Sequence, residues 1–185
     1  KTFSFPKDSK DAPYCVDVSI RIEGDARNVM INTGLPEVEL ISGNAAPTLK
    51  FRMMTSNPKK VQVDSISLPK SGYTASSAYP NWISNSNGFF GIILDPLTEI
   101  PPGFRTYLVP GMEAPTRLTL IDAEHQLYSA DKYPAYDIRL PLSAKTTQFR
   151  LYAGPYEDDI LAQVDQTYFD GAKGYNPSYV GAMSF

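Results

Sequence analysis

The hydrophobic period of this chain changes at Gly154-Pro155, and that change narrows the available folds more than any other feature. Before it, Phe149, Leu151 and Ala153 alternate with Arg150 and Tyr152, the spacing of a strand with one face buried. Beyond it, Ile160, Leu161, Val164 and Tyr168 recur at the 3.6-residue spacing of one helical face. Glu157, Asp158 and Asp159 stand at the first turn, where carboxylates complement the helix dipole and can accept from free backbone amides. Gly171 is a reasonable terminator. We expect a helix over about 157–170, with Ile160, Leu161, Val164 and Tyr168 docked on the strands. Asp159, Gln163 and Gln166, with Asp165, fall mostly on the other face, which is a candidate surface for a partner.

The rest of the chain reads as strand after strand. Val16, Val18, Ile20 and Ile22 share one face of a half-buried strand. Leu49, Phe51 and Met53 face one way with Lys50 and Arg52 the other, and Val61, Val63, Ile66 and Leu68 follow a Ser-Asn-Pro-Lys break, as in a hairpin. Gly88 to Leu94 is apolar on both faces, the pattern of a central strand covered on two sides. Tyr107-Leu-Val-Pro, Arg117 to Ile121, and Tyr136, Ile138, Leu140 and Leu142 continue the series, while Asp122 to Tyr128 fits a turn or a short strand. Many short strands and one clear helix predict a mainly β fold, a twisted β-sandwich with a C-terminal α-helix. Val18, Ile20, Phe51, Ile92, Leu140 and Leu151 are expected to share its core. Residues 1–13 read as a flexible or edge-lying lead-in to a single domain over 14–185, a length sufficient for one sizeable core.

Several function classes recede on composition. The longest apolar run, Phe89 to Leu94, is interrupted by Gly91 and falls far short of the roughly 20 residues that span a bilayer. Net charge is −3, with Lys and Arg scattered among carboxylates, which argues against a nucleic-acid partner. Cys15 is the only cysteine, so neither an intrachain disulfide nor a cysteine zinc site can be built. The chain opens on Lys1 without an initiator Met or signal pattern, and we expect a domain excised from something longer.

Candidate chemistry is sparse. His125, the only histidine, has Asp122 and Glu124 beside it, but no Gly-x-Ser-x-Gly or other nucleophile pattern accompanies it, and a turn histidine is the simpler reading. Glu157 to Asp159 lacks the alternating oxygens of a calcium loop and fits helix capping better. Ser84 to Gly88 has a single glycine and no following lysine, so it reads as a tight turn and not a phosphate loop. Tyr79, Trp82, Phe89 and Phe90, with Tyr73, form either a sugar-stacking groove or core packing. No catalytic residue, metal site or cofactor is expected.

Two segments in order, Trp82-Ile-Ser-Asn-Ser-Asn-Gly-Phe-Phe-Gly-Ile-Ile-Leu-Asp-Pro96 and Phe149-Arg-Leu-Tyr-Ala-Gly-Pro155, resemble the extracytoplasmic domain of the YidC membrane protein insertases. In that family a Trp-containing turn leads into a Phe-rich strand, and a later Gly-Pro opens the terminal helix. The likeness is best over residues 80–185, and it departs from the family at Asn81-Trp82, where Gly-Trp is usual. It implies a supersandwich-like fold on the periplasmic side of the inner membrane, tethered to a membrane-embedded remainder that holds the family's hydrophilic groove. It also implies that Phe149 to Pro155 and the helix lie at the end nearest the membrane, with Tyr179 to Phe185 leading toward the next span. The function implied is non-catalytic assistance to membrane protein insertion and folding, through contacts with partners such as other translocon components. The alternatives are a carbohydrate- or ligand-binding β-sandwich of the cell envelope and, less favoured, a small hydrolase.

Overall fold

Alternation of apolar and polar side chains builds two antiparallel sheets in the computed structural model, which describes residues 1–7, 10–34, 40–41, 44–45, 47–109, 135–142 and 145–183. In chain order the strands are β1 (Thr2–Ser4), β2 (Cys15–Arg21), β3 (Val29–Asn32), β4 (Leu40–Ile41), β5 (Asn44–Ala45), β6 (Thr48–Met53) and β7 (Val63–Ser65). They continue with β8 (Tyr73–Ser76), β9 (Pro80–Ser86), β10 (Phe90–Pro96), β11 (Phe104–Val109), β12 (Ala135–Leu142) and β13 (Thr146–Pro155). Helix α1 (Asp158–Thr167) and a 3-10 helix (Tyr179–Ala182) follow. Seven strands form one sheet in the order β1-β2-β13-β10-β9-β6-β7, four form the second as β3-β12-β11-β8, and β4 pairs with β5. The segments containing Arg117 to Ile121, Asp122 to Tyr128 and His125 lie outside the described residues.

The inner faces of the two sheets enclose the main core. Val18, Ile20, Phe51, Ile83, Ile138, Leu140 and Phe149 are buried there, and Leu151 packs at its margin. Ile92 does not join it. It pairs with the exposed Ala153 near the start of β10 and stays half-buried. A polar tie crosses the core at Asn85, whose amide donates to the carbonyls of Tyr136 (2.7 Å) and Gly34 (3.2 Å). A buried amide requires partners, and β12 of the facing sheet supplies one of them.

β10 occupies the middle of the large sheet, as its two-sided apolarity predicts. Its other face is also covered. Cys15, Trp82, Ile93, Tyr152, Tyr156, Leu161, Val164 and Tyr179 form a second core between that face and the C-terminal helices. Gly91 and Gly154 are flat places for aromatic lids: a Cβ at Gly91 would lie 2.3 Å from the Tyr156 ring, and one at Gly154 2.6 Å from that of Tyr14. Gly154 is thus required by close approach as well as by the join to the helix.

Two details depart from expectation. The N-cap Glu157 makes no capping hydrogen bond through its side chain, and Asp158 and Asp159 stand in the first turn. The helix ends at Thr167, before Gly171, because Asp170 Oδ1 accepts from the backbone N–H of Ala172 and Lys173 (both 3.1 Å) and folds the chain into a turn. The segment preceding β2 is edge-lying: β1 forms the edge strand on β2, and Thr167 Oγ1 donates to the carbonyl of Asp11 (2.8 Å).

Leu140 has 0% exposure, so Leu140→Ala is expected to cost about 2–5 kcal/mol in denaturant melts. An unchanged midpoint would place that side chain outside the core.

Candidate functional site: a charged row beneath the C-terminal segment

Antiparallel register brings charged residues into one row on the outer face of the seven-stranded sheet. Asp17 of β2 pairs with Arg150 of β13, Arg150 pairs with Asp95 of β10, and Arg52 of β6 pairs with Trp82 of β9. By alternation alone these residues face away from the main core, where solvent would be expected. Asp95 and Arg52 are instead 4% and 2% exposed. Buried charge is costly unless paired and hydrogen-bonded, so the cover over this row has to supply partners.

The cover is the chain after α1. The Tyr179 hydroxyl donates to Asp95 Oδ2 (2.6 Å), and its ring meets Trp82 edge-on. Arg52 Nη1 donates to the carbonyls of Asn176 and Pro177, and its guanidinium lies 4.6 Å from the centre of the Tyr175 ring. The Trp82 indole N–H donates to the same Pro177 carbonyl (2.7 Å). Arg150 lies under the Tyr168 ring at 3.2 Å and near Asp17 at 3.7 Å. Each arginine in the row therefore meets a tyrosine face, a cation–π arrangement that is strongest when desolvated.

Asp165 anchors the cover from the helix side. Its carboxylate accepts from the backbone N–H of Tyr179 (2.6 Å) and Val180 (3.2 Å), at the start of the 3-10 helix. The helical period places Asp165 with the outward residues, but it is 6% exposed. The reason is that a layer lies on that side of the helix and needs its first amides satisfied.

The helix residues separate as their period predicts in other respects. Leu161 and Val164 are fully buried in the second core, Ile160 and Tyr168 pack at its edge, and Asp159, Gln163 and Gln166 are exposed. The aromatic residues do not come together as a groove. Trp82 is sealed beneath Tyr179, whereas Tyr79 precedes β9 and Phe89 and Phe90 follow it, so the length of that strand separates them. The loop 171–177 is exposed only in its first part: Gly171, Ala172 and Lys173 are exposed, while Pro177 is buried.

Burial dominates the electrostatics. Desolvation lifts the Asp95 carboxyl from 3.8 to about 6, against the Tyr179 hydrogen bond and the charges of Arg150 and Arg52. Desolvation also raises Asp165, opposed by the amides it accepts from. The Cys15 thiol is pushed up to about 12, chiefly by burial, which keeps it protonated and unreactive at neutral pH. Among the described residues no group of three or more His, Cys, Asp or Glu is placed to hold a metal ion.

The raised Asp95 value has a definite sign. The folded state holds that proton more tightly than the unfolded one, so the associated stability is present below about pH 4 and lost as pH rises through about 6. Asp95→Asn, which mimics the neutral acid, is expected to gain on the parent sequence by up to about 3 kcal/mol between pH 4 and pH 8. Tyr179→Phe removes the donor that favours the ionised form and moves the window to higher pH. Chemical denaturation across that range checks both, and parallel stability curves for the parent and Asp95→Asn would contradict them.

No protein-family model matches the chain. Its whole length is 40% identical to part of a membrane protein insertase YidC from Chlamydia caviae, of which it spans 23%. YidC proteins from Chlamydia muridarum and Chlamydia trachomatis serovar D match 95% of the chain at 38% and 37% identity, and it spans 22% of each. The chain thus covers less than a quarter of the length of these relatives, and among its described residues no helix is long and apolar enough to cross a membrane. A match of this identity over the entire chain, together with the sandwich and its terminal helix, makes the chain a segment of the YidC membrane protein insertase family.

Proposed function

We propose that this segment is a non-catalytic extracytoplasmic domain of its insertase, assisting insertion and folding of membrane proteins through contacts with partners. The observation that carries the reading is the end-to-end match to a minor part of proteins named as membrane protein insertases. Its place is on the periplasmic side of the inner membrane, joined to a membrane-embedded remainder, with other translocon components among the proteins it meets. The exposed face of α1, with Asp159, Gln163 and Gln166, is the partner surface: it stands on a helix whose opposite face is locked into the second core. Rigid support of this kind lowers the ordering cost of association. The separation of Tyr79 and the burial of Trp82 disfavour the carbohydrate-binding alternative, since one sugar needs its stacking rings on one surface.

In the full-length parent protein, Asp159→Lys combined with Gln163→Lys and Gln166→Lys is expected to leave membrane levels unchanged and slow the insertion of reporter substrates. Normal growth and insertion would overturn the partner role of this face. A panel of ester, phosphate and sugar substrates is expected to show no turnover by the chain, and activity that disappears in His125→Ala would overturn the non-catalytic reading.

A further inference from the structure

The turn between β9 and β10 holds two phenylalanines in water and is built to keep them there. Phe89 and Phe90 are 47% and 49% exposed. Asn87 Oδ1 accepts from the backbone N–H of Phe89 (3.0 Å) and Phe90 (2.8 Å), and Ser86 Oγ accepts from Gly88 N–H (3.0 Å) and donates to the Phe90 carbonyl (3.0 Å). The Tyr156 N–H closes the arrangement on the Phe89 carbonyl (2.6 Å), just before α1. Exposed apolar side chains fixed in this way are preorganised, and preorganised aromatic groups are the usual anchors of protein interfaces.

Phe90 pairs with Pro155 across the strands, so this turn and the Gly-Pro join form one surface. An open cavity of about 520 Å³ lies there, lined by Tyr14, Phe90, Ile92, Ala153 and Pro155, and Glu157 is its one charged lining residue. Asp158 and Asp159 are exposed on the adjoining helical turn. The patch is therefore apolar at its centre and acidic on one rim.

We propose that this surface binds a polypeptide segment whose apolar side chains are flanked by lysine or arginine. The proposal rests on the partner-contact reading above and names the chemistry of the partner. Apolar groups fill the cavity and cover the phenylalanines, while the flanking cations meet Glu157, Asp158 and Asp159. Those carboxylates, in a chain of net charge −3, oppose an anionic lipid surface as the occupant.

The test is fluorescence anisotropy with a dye-labelled Leu/Phe peptide flanked by lysines, against the same peptide flanked by glutamates and against anionic phospholipid vesicles. The lysine peptide is expected to bind, more weakly as salt rises, and the glutamate peptide and vesicles to bind far less. Phe89→Ala with Phe90→Ala should lower affinity about tenfold or more, with an unchanged melt because both rings are exposed. Glu157→Gln, Asp158→Asn and Asp159→Asn together should lower affinity and flatten the salt dependence. Equal binding of the two peptides, undiminished binding by the double phenylalanine variant, or a preference for vesicles would each overturn the site. If peptide binding needs the phenylalanines but a parent protein carrying the double variant inserts substrates normally, the site stands and its role in insertion falls. If insertion depends on the Asp159, Gln163 and Gln166 face while no peptide binds at the phenylalanines, the partner-contact reading stands and this site falls.

Discussion

A buried arginine, a buried aspartate and a half-buried second arginine on one face of a sheet require a polar cover, and much of the architecture follows from meeting that requirement. Arg52 and Asp95 cannot be left against bare hydrocarbon, because the desolvation cost of each charge exceeds what packing returns. Residues 175–183 meet the need with backbone carbonyls, a tyrosine hydroxyl and the Tyr175 face, and Asp165 in turn satisfies the first amides of the 3-10 helix. The segment is consequently a third layer of the fold. It holds α1 in place from one side while the sheet holds it from the other.

Much of the architecture is legible in the sequence because two periods speak for themselves. Period 2 marks β2, β6, β12 and β13, the unbroken apolarity of β10 marks the centre of the large sheet, and period 3.6 marks α1. The charged row is not legible by the same rule. Arg52, Asp95 and Arg150 all stand at positions that alternation assigns to a solvent face, and their cover comes from residues far away in the chain. Period cannot report a partner that the fold brings in later. A composition signal was present, in the spacing of Tyr168, Tyr175 and Tyr179 through a tail that also carries Trp82's acceptor, but tyrosines do not reveal which charges they will meet.

The two segments that carry the family resemblance meet in space. Phe90 lies opposite Pro155, and Gly91 lies opposite Gly154, each glycine under an aromatic lid. The pairing explains why a Phe-containing turn and a Gly-Pro join, far apart in sequence, occur together: they are two halves of one surface beside the start of α1. The same surface exposes aromatic groups, and it adjoins the helix on which Asp159, Gln163 and Gln166 are exposed. Rigid strands, a docked helix and a pinned turn thus form one continuous edge.

Trp82 is the only tryptophan, and its indole N–H is bonded to Pro177, so one proton reports whether the C-terminal segment is part of the fold. Hydrogen exchange of that indole, followed by NMR beside the backbone amides of β12, is the direct measurement. If the segment is an integral layer sealing the charged row, the indole proton exchanges as slowly as the N–H of Ile138. Rapid indole exchange while β12 stays protected would mean that the segment opens by itself and that the buried charges do not hold it.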